Sequence, residues 1–314
     1  MLYKPFFRFV FFLLFFIGWI EAKEVKTWSY VFFFDNGIKA YVNFSLLPVP
    51  AQGQKVACDL SFWSPKWKHP SVGRQYPPER MVVDKEKHRI SIKEEYLMEG
   101  PIAKGHRVLF SAEKGGSFLL DVSFDSVIRA QKPSQNSWNI EKGSFFQEIL
   151  IPYGRVSGKI AYNNDTLSVK GYAYADYSVQ KSLGVESVSR SFLFSSKKYA
   201  GRLGISKKGE LFGYALEIEG SQTRILSPKS ILQNAKPYDG TRFPNSELEI
   251  LWNEPVESLK IDASKVFQKF SVLQNFDGFM AKKAMKFAMG GELLFYRGQT
   301  KQDQTVVDWS ISGF

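Results

Sequence analysis

The chain has 314 residues, of which 44% are hydrophobic and 16% aromatic, a composition that excludes an intrinsically disordered protein and allows one large or two ordinary domains. A single cysteine excludes an internal disulfide, and a formal net charge of +11 favours anionic partners. The lysines are spread along the chain and often flank turns, so most of this charge is predicted to be a solvated surface. Contact with an anionic membrane surface is the less favoured alternative.

The first 22 residues have the features of a signal peptide. Lys4 and Arg8 give a basic start, and residues 9–20 form an apolar run without a charge. This run has the length of a signal-peptide core and is too short for a comfortable membrane span. We therefore expect cleavage after Ala22 and an exported protein, periplasmic or secreted, with an uncleaved N-terminal anchor as the alternative. Export argues against nucleic acid as a partner.

Residues 23–140 divide into short predicted strands. An Asp-Asn-Gly sequence at 35–37 predicts a hairpin turn, because such turns need residues that accept a positive φ. After it, apolar and polar residues alternate from Ile38 to Leu46, as in a strand with one buried face. Further strands follow between turn signals, without helical periodicity, which indicates an antiparallel sandwich or barrel. Cys58 lies in one of them and is predicted to be a buried small residue rather than a nucleophile.

Residues 149–180 form the most distinctive stretch, a predicted hairpin with its turn at an Asn-Asn-Asp sequence. In the return strand Gly171 and Ala173 fall on one face, whereas Tyr172 and Tyr174 fall on the other. The small residues indicate that another group approaches closely. Two interpretations stay open: a tight packing contact beside a tyrosine-edged surface, or the wall of a ligand cavity.

The remainder of the second half is also predicted to be mainly strand. A polar segment, 130–143, is the candidate linker between halves, and a proline-containing passage, 227–244, is predicted to be loop. Residues 275–292 break the pattern and indicate a basic amphipathic helix, with Asp277 suited to cap its start. This helix is expected to pack against the end of a barrel, with membrane contact as the alternative. Two final strands follow.

The order IP-x-G-x-V-S-G-x-I followed by G-x-A-Y-A-D, at residues 151–176, resembles the central motif of a lipocalin-like superfamily. This superfamily joins carotenoid 1,2-hydratases, AttH-type bacterial proteins and the yeast survival-factor family. The opening YVFFFDNGIKAYVNFSLLPV and the group of Arg190, Phe192 and Phe194 are similar to it as well. The resemblance covers nearly the whole chain after the leader. It implies an all-β fold of two tandem lipocalin-like β-barrels, 23–140 and 141–314, with one short C-terminal helix and the motif opening the second barrel.

The resemblance also points to Asp176 as a candidate functional residue. The hydratase-like relatives carry an Asp-His pair after the motif tyrosine, whereas here Asp176 is followed by Tyr177. This departure puts acid-catalysed hydration of an alkene by such a pair in doubt. Asp176 could act alone as a general acid if it were buried, since burial favours the protonated form. The alternative is a partly exposed aspartate that caps a loop.

No catalytic or metal-binding constellation is evident elsewhere. The three histidines, His69, His88 and His106, have no chelating spacing, and neither a phosphate loop nor a dinucleotide fingerprint is present. We therefore expect neither a metal nor a cofactor.

These observations favour an exported protein that binds or carries a hydrophobic small molecule or lipid in lipocalin-like barrels, and not an enzyme. The candidate ligand-binding residues are Tyr172, Tyr174, Asp176, Tyr177 and Arg190. Two alternatives stay open. One is a hydratase- or isomerase-like enzyme that acts on an isoprenoid or similar apolar substrate with Asp176 as proton donor. The other is a non-catalytic structural protein of the cell envelope.

Overall fold

The computed structural model describes residues 24–49, 53–103, 105–113, 116–181, 187–235, 246–262, 266–271, 273, 278–288, 291–299 and 306–312. The predicted signal peptide, the helix-capping Asp277 and residues 236–244 of the proline-containing passage lie outside these residues. The loop prediction for that passage is wrong at Pro228–Ala235, which forms a strand paired to Ser246–Trp252. Within them the fold is all-β, as predicted: antiparallel strands form three sheets, and a single α-helix is present.

The largest sheet has twelve strands, and it uses the first part of the chain. These are β1 Val25–Phe34, β2 Lys39–Val49, β3 Gly53–Trp63, β4 Ser71–Tyr76, β5 Met81–Asp84, β6 Arg89–Ile92, β7 Tyr96–Glu99, β8 Arg107–Ala112, β9 Phe118–Val127, β10 Ser137–Ile140, β11 Gly143–Tyr162 and β12 Asp165–Gln180. Their order is β4-β3-β2-β1-β12-β11-β9-β8-β7-β6-β5, with β10 paired to β11. A short 3-10 helix, Pro78–Arg80, precedes β5.

The motif hairpin, β11 and β12, lies in the middle of this large sheet. β12 pairs with β1, and β11 pairs with β9, so the hairpin fills the space between two strands that are far apart in sequence. The resemblance implied that the hairpin opens the second barrel, whereas its strands pair within the N-terminal sheet. The boundary between sheets therefore falls after Gln180 and not after residue 140. The division of the chain into two barrel domains stays a prediction.

The rest of the chain forms two smaller sheets. The seven-stranded sheet has the order β16-β15-β14-β13-β22-β21-β20, and the three-stranded sheet has the order β17-β18-β19. The strands are β13 Val188–Ser195, β14 Tyr199–Ser206, β15 Leu211–Glu219, β16 Gln222–Leu226, β17 Pro228–Ala235, β18 Ser246–Trp252, β19 Leu259–Asp262, β20 Val266–Ser271, β21 Leu293–Gln299 and β22 Val306–Ser312.

The predicted helix is confirmed as α1, Phe279–Ala288. Its first two residues, Phe279 and Met280, are 76% and 70% exposed, so this end of the helix does not pack against a barrel. No helix in the described part of the chain has the length and apolar character needed to cross a membrane.

The two predicted hairpin turns are confirmed by the backbone angles, since Gly37 between β1 and β2 and Asn163 between β11 and β12 have a positive φ, at 83° and 53°. Gly209 between β14 and β15 also has a positive φ, at 87°. These are the conformations that Gly and Asn tolerate best, and therefore the turn residues fix where each strand reverses.

Four apolar clusters are buried among the described residues, and the smallest joins Ile140 and Phe145 to Val188 and Phe212. An inner core on one face of the large sheet includes Phe32, Phe62 and Cys58. A distal core, which includes Phe192 and Leu203, joins the seven-stranded sheet to the three-stranded sheet. A third group, which we call the inter-sheet layer, lies between the large sheet and the seven-stranded sheet. It contains Val31, Phe33, Tyr41, Trp63, Ile149, Tyr174, Leu193, Ala200, Tyr214, Leu216 and Ile218.

The small residues on one face of β12, Gly171 and Ala173, are explained by packing between strands. A Cβ added at Gly171 would lie 2.0 Å from the carbonyl oxygen of Phe33 on the adjacent strand. Ala173 is buried in the inner core. The structure therefore supports a tight packing contact at these residues rather than a cavity wall. Cys58 is buried and free, as predicted, and burial raises the pKa of its thiol.

Candidate functional site

Polar side chains are concentrated in the inter-sheet layer. Strand alternation directs Ser29, Tyr174 and Asp176 away from the inner core, to the face that would meet solvent if the large sheet stood alone. The seven-stranded sheet covers this face, and as a result these three residues are at most 1% exposed. We call Ser29, Tyr174, Asp176, Arg202 and Tyr214 the inter-sheet cluster.

Register explains how the cluster assembles. Ser29 on β1 lies directly opposite Asp176 on β12, and Arg202 on β14 lies directly opposite Tyr214 on β15. Residues opposite each other in an antiparallel pair point to the same face. Each sheet thus presents one adjacent pair of polar side chains, and the two pairs meet when the sheets pack.

A buried ion pair is the centre of the cluster. Arg202 donates two hydrogen bonds to Asp176, from Nε to Oδ2 at 2.8 Å and from Nη2 to Oδ1 at 3.2 Å, and Nη2 also donates to Oγ of Ser29 at 2.9 Å. The side chain of Asp176 is fully buried, and that of Arg202 is 13% exposed. Burial opposes the charge of Arg202, but the attraction of Asp176 outweighs it and raises the pKa of the guanidinium. Two hydrogen bonds from a guanidinium favour the ionised carboxylate. The expectation that Asp176 caps a loop is wrong, because it lies within a buried strand.

The hydroxyl groups of two tyrosines in the cluster can each still donate a hydrogen bond. The hydroxyl of Tyr174 makes no well-formed hydrogen bond among the described residues, although it lies near enough to Asp176 to feel its charge and to interact weakly with its carboxylate. Burial, and then the negative charge of Asp176, hold the pKa of Tyr174 well above its usual range. The hydroxyl oxygen of Tyr214 accepts a hydrogen bond from the Ile149 N–H at 3.0 Å. Burial raises the pKa of Tyr214 to about 12 although that hydrogen bond opposes the shift. Both phenols are therefore neutral donors at physiological pH.

Gln147 fixes one side of the cluster. Its Nε2 donates to the carbonyl of Tyr214 at 3.2 Å, and its Oε1 accepts the N–H of the same residue at 3.1 Å. Gln147 is fully buried. A primary amide that hydrogen-bonds to both the N–H and the carbonyl of one residue ties β11 to β15. It therefore fixes the position of Tyr214 relative to the large sheet.

A second arginine crosses the same interface nearby. Arg297 on β21 donates to Asp59 at 2.7 Å and to Ser61 at 2.8 Å, both on β3. Its guanidinium carbon lies 4.3 Å from the ring centroid of Tyr41, in cation–π contact. The two sheets are thus joined by two arginine–carboxylate pairs, one of which, Arg202–Asp176, also faces the hydroxyl of Tyr174.

No protein-family model matches the chain, and a search of curated proteins finds no match. Solved structures do match over most of the chain. An AttH protein from Nitrosomonas europaea shares 11% identity at a TM-score of 0.60, covering 93% of this chain and 92% of that one. Kievitone hydratase from Nectria haematococca shares 10% identity at a TM-score of 0.54, covering 92% and 89%. CghA bound to Sch210972 shares 11% identity at a TM-score of 0.56, covering 93% and 89%. The fold is lipocalin-like.

On this lipocalin-like fold, three of the five predicted ligand-binding residues share one face. Tyr172, Tyr174 and Asp176 all point into or beside the inter-sheet layer. Tyr172 is half-buried at its margin, where its ring stacks on Phe33 at 4.5 Å and on Tyr153 at 5.0 Å between ring centroids.

The other two predicted residues lie elsewhere. Tyr177 is on the opposite face of β12, packed on Trp28 with ring centroids 4.9 Å apart. Arg190 is on the far face of the seven-stranded sheet, close to Tyr296 in the distal core. The structure therefore does not bring either of them to the inter-sheet cluster.

Sequence reasoning missed Arg202, Tyr214 and Ser29. A usable signal did exist, because Arg202 is a single charge in the otherwise apolar and small strand YAGRLGIS, and Asp176 is its counterpart in AYADY. Opposite charges in two apolar strands suggest a buried pair. Among the residues that the structure describes, no three His, Cys, Asp or Glu side chains are grouped to hold a metal ion.

Proposed function

We propose that the protein is an enzyme of the hydratase or isomerase type, which acts on an apolar substrate at the inter-sheet cluster. The observation that carries this proposal is the hydroxyl of Tyr174, buried without a well-formed hydrogen bond beside the carboxylate of Asp176. A buried hydroxyl without a hydrogen bond costs about 1–3 kcal/mol. Such a group, beside a carboxylate, is suited to a ligand. Support also comes from the shared fold, since one similar structure is that of a hydratase.

In this proposal Asp176 acts as the base. A proton donor must carry a proton before it acts, whereas both carboxylate oxygens of Asp176 accept hydrogen bonds from Arg202. Each carboxylate oxygen retains a free lone pair for a further hydrogen bond. The role of proton donor expected for Asp176 from the sequence is therefore replaced by that of acceptor, with Arg202 and Ser29 as positioning residues.

Tyr174 takes the role of donor. A neutral phenol near a carboxylate base is the combination used for proton transfer next to a carbonyl group, because the phenol stabilises the oxyanion that forms. Burial strengthens this hydrogen bond, since no water competes for it. Tyr214 is a second neutral phenol of the cluster, held in place by Gln147 and Ile149.

These groups suit a substrate in which a carbon–carbon double bond is conjugated to a carbonyl group. In hydration, a water molecule gives a proton to Asp176 while its oxygen bonds to the β-carbon, and the displaced electron pair moves to the carbonyl oxygen, where Tyr174 donates a hydrogen bond. The proton on Asp176 then passes to the α-carbon and restores the carbonyl. In isomerisation, the same carboxylate removes a proton from one carbon of the substrate and returns it to another. Neither sequence requires a redox step.

In this proposal the substrate reaches the cluster from the margin of the inter-sheet layer. Tyr172 precedes Tyr174 by two residues on the same face, and Lys197 lies 5.5 Å above the Tyr172 ring. Lys197 is exposed, and Tyr172 and Tyr153 are half-buried. Displacement of the Tyr172–Tyr153 stack would open the layer directly towards Tyr174.

The test uses Tyr174→Phe, which removes one oxygen and nothing else. The protein and its variants are incubated in D2O with isoprenoid enones and enals, and mass spectrometry detects deuterium uptake or the gain of one water. We expect turnover by the wild type, its loss in Tyr174→Phe and Asp176→Asn, and unchanged turnover in Tyr177→Phe on the opposite face. Because the hydroxyl of Tyr174 makes no well-formed hydrogen bond, Tyr174→Phe should be at least as stable as the wild type.

Two results would contradict the proposal. A marked loss of stability in Tyr174→Phe would show that the hydroxyl is a structural group. Turnover that survives in Tyr174→Phe would place the chemistry elsewhere. Binding of the same compounds without any conversion would instead favour the carrier interpretation, in which a lipid-like ligand is held unchanged. Export and contact with an anionic membrane stay predictions of the sequence.

A further inference from the structure

Helix α1 belongs to a long connection between two neighbouring strands. Ser271 on β20 pairs directly with Leu294 on β21, and β20 is an outer strand of the seven-stranded sheet. Antiparallel neighbours can be joined by a turn of about two to five residues, whereas residues 272–292 intervene here. The sheet therefore does not require the helix, and segments that exceed what the fold needs are common sites of binding.

The base of this connection is buried, whereas the start of the helix is exposed. Ser271 donates a hydrogen bond to Glu292, and both side chains are at most 2% exposed. By contrast, Phe279 and Met280 are 76% and 70% exposed, more than any other large apolar side chain in the described part of the chain. Two adjacent exposed apolar side chains of this size are unfavourable in water, and they indicate a surface that another body covers.

Lysines surround this apolar pair. Lys282, Lys283 and Lys286 are exposed, and the sequence of the helix contains no Asp or Glu. At about 100° per residue, the three lysines and the two apolar residues fall within about 160° of the helix circumference, with Phe279 near the middle. One side of α1 therefore combines apolar tips with positive charge. The next carboxylate along the chain, Glu292, is buried and so does not belong to this surface.

The turn between β14 and β15 lies at the same end of the sheet as α1. One residue from each of four adjacent strands forms a row across this end: Ile205, Arg190, Ile311 and Leu294. The turn follows just after this row, and the connection that contains α1 ends just before it. The turn exposes Lys207 and Lys208 against one carboxylate, Glu210. It therefore adds to the positive charge that α1 presents at this end.

The chemistry of this end favours an anionic lipid surface over other occupants. A second copy of the chain, joined through α1 by a two-fold axis, would bring its lysines against those of the first copy, and like charges repel. An anionic membrane satisfies both features, since its headgroups attract lysines and the boundary with the acyl chains accepts apolar side chains. The formal net charge of +11 attracts the whole chain to the same surface.

We propose that α1 docks the protein on a membrane surface that contains anionic lipids, with Phe279 and Met280 inserted among the headgroups and the three lysines on the phosphates. The helix lies on the membrane and does not cross it, because its 10 residues reach only about 15 Å, roughly half the thickness of the hydrocarbon core. This docking does not depend on the reaction proposed for the inter-sheet cluster.

The test places a fluorescent reporter on the helix of the full chain. Cys58 is the only cysteine and is buried, so Met280→Cys provides a single accessible thiol for an NBD dye. We expect the emission to strengthen and shift to the blue on vesicles of phosphatidylglycerol and phosphatidylcholine, and to stay unchanged on phosphatidylcholine alone. A dye at Val82→Cys, an exposed position on β5, should not respond. Because the dye reports its own surroundings, membrane contact by the N-terminal segment alone does not produce this signal.

Titration of the labelled protein with the anionic vesicles then measures the contribution of the lysines. Each lysine near an anionic surface strengthens binding by about fivefold, so replacement of all three by Gln should weaken it by about a hundredfold. The variants are Lys282→Gln, Lys283→Gln and Lys286→Gln in one chain. The matched control removes the same charge from three exposed lysines of the large sheet and should lose less than about fivefold: Lys85→Gln, Lys159→Gln and Lys170→Gln.

Several results would overturn the proposal. They are a silent dye on anionic vesicles, an equal response on neutral vesicles, and an equal loss of affinity in the control, which would assign binding to the charge of the whole chain. A lower sedimentation coefficient in Phe279→Ser with Met280→Ser, measured without vesicles, would show that a second copy covers α1. The substituted side chains are exposed, so the variants should fold. A measurement without the lysine variants is salt, which should release the labelled protein from anionic vesicles; binding that persists would also contradict docking through lysines.

Discussion

Replacement of Arg202 by Met tests the buried ion pair most directly. Arg202→Met keeps much of the apolar volume but removes all three hydrogen bonds that the guanidinium gives to Asp176 and Ser29. The carboxylate of Asp176, which is fully buried, is left without a cation. Removal of one partner of a buried pair costs about 3–5 kcal/mol, because the other charge stays out of water unpaired. Total stabilities of domains are about 5–15 kcal/mol, so the loss should be large.

The assay is urea denaturation at neutral pH, followed by the fluorescence of the tryptophans. A double variant, Asp176→Leu with Arg202→Met, removes both charges and should recover much of the loss, since an apolar pair of similar volume avoids the desolvation cost. Protonation neutralises a lone buried carboxylate, and as a result the deficit of Arg202→Met should shrink as the pH falls. Lys87→Met, in the exposed pair with Asp84, is the control and should change stability little. A loss of less than about 1 kcal/mol in Arg202→Met would refute the reasoning.

Three further predictions concern the inner core. Gly171→Ala should lose about 1–3 kcal/mol in urea unfolding, because its Cβ would meet the Phe33 carbonyl, whereas Gly73→Ala, whose Cβ would meet nothing closer than 4.0 Å, should not. Cys58 should react with a thiol reagent only at the rate of unfolding, since burial raises its pKa and blocks access; rapid labelling would contradict this. Burial lowers the pKa of His106, so the folded state binds its proton less readily than the unfolded chain. Stability should therefore fall as the pH drops below about 6.5, and His106→Gln should flatten that dependence in urea titrations.

Local sequence patterns identified the fold class and much of the hairpin geometry. The turns at Gly37, Asn163 and Gly209 follow from the few residues that accept a positive φ. Alternation correctly separated Tyr172 and Tyr174 from Gly171 and Ala173, because side chains in a strand point to opposite faces by geometry alone.

The same alternation could not show which face of a strand is covered by another sheet. Tyr174 and Asp176 are buried only because the seven-stranded sheet packs on them, and their partners follow much later in the chain. Arg202 is separated from Asp176 by 26 positions, and Arg297 from Asp59 by 238. No local pattern connects such distant residues. For the same reason Tyr177, which follows Asp176 directly, and Arg190, which was taken from the family resemblance, were grouped with Asp176 although they lie on other faces.

The place of the motif hairpin was also beyond local reasoning. Propensity and turn chemistry predict that β11 and β12 pair with each other, but they do not predict that the hairpin lies between β1 and β9. Sheet order depends on how whole faces bury their apolar residues, which becomes defined only when all strands are present.

The central position of this hairpin constrains the order in which the protein can assemble during synthesis. The first strand of the large sheet finds one of its two neighbours only at the end of β12, where Val25 pairs with Gln180. Until the ribosome has released the chain to that point, β1 and β9 each keep an open edge, and unpaired strand edges are the places where nascent chains associate wrongly. Closing so long a loop is entropically costly and slow. The N-terminal half therefore cannot complete its sheet as it emerges, and it has to wait for the two long strands in the middle of the chain.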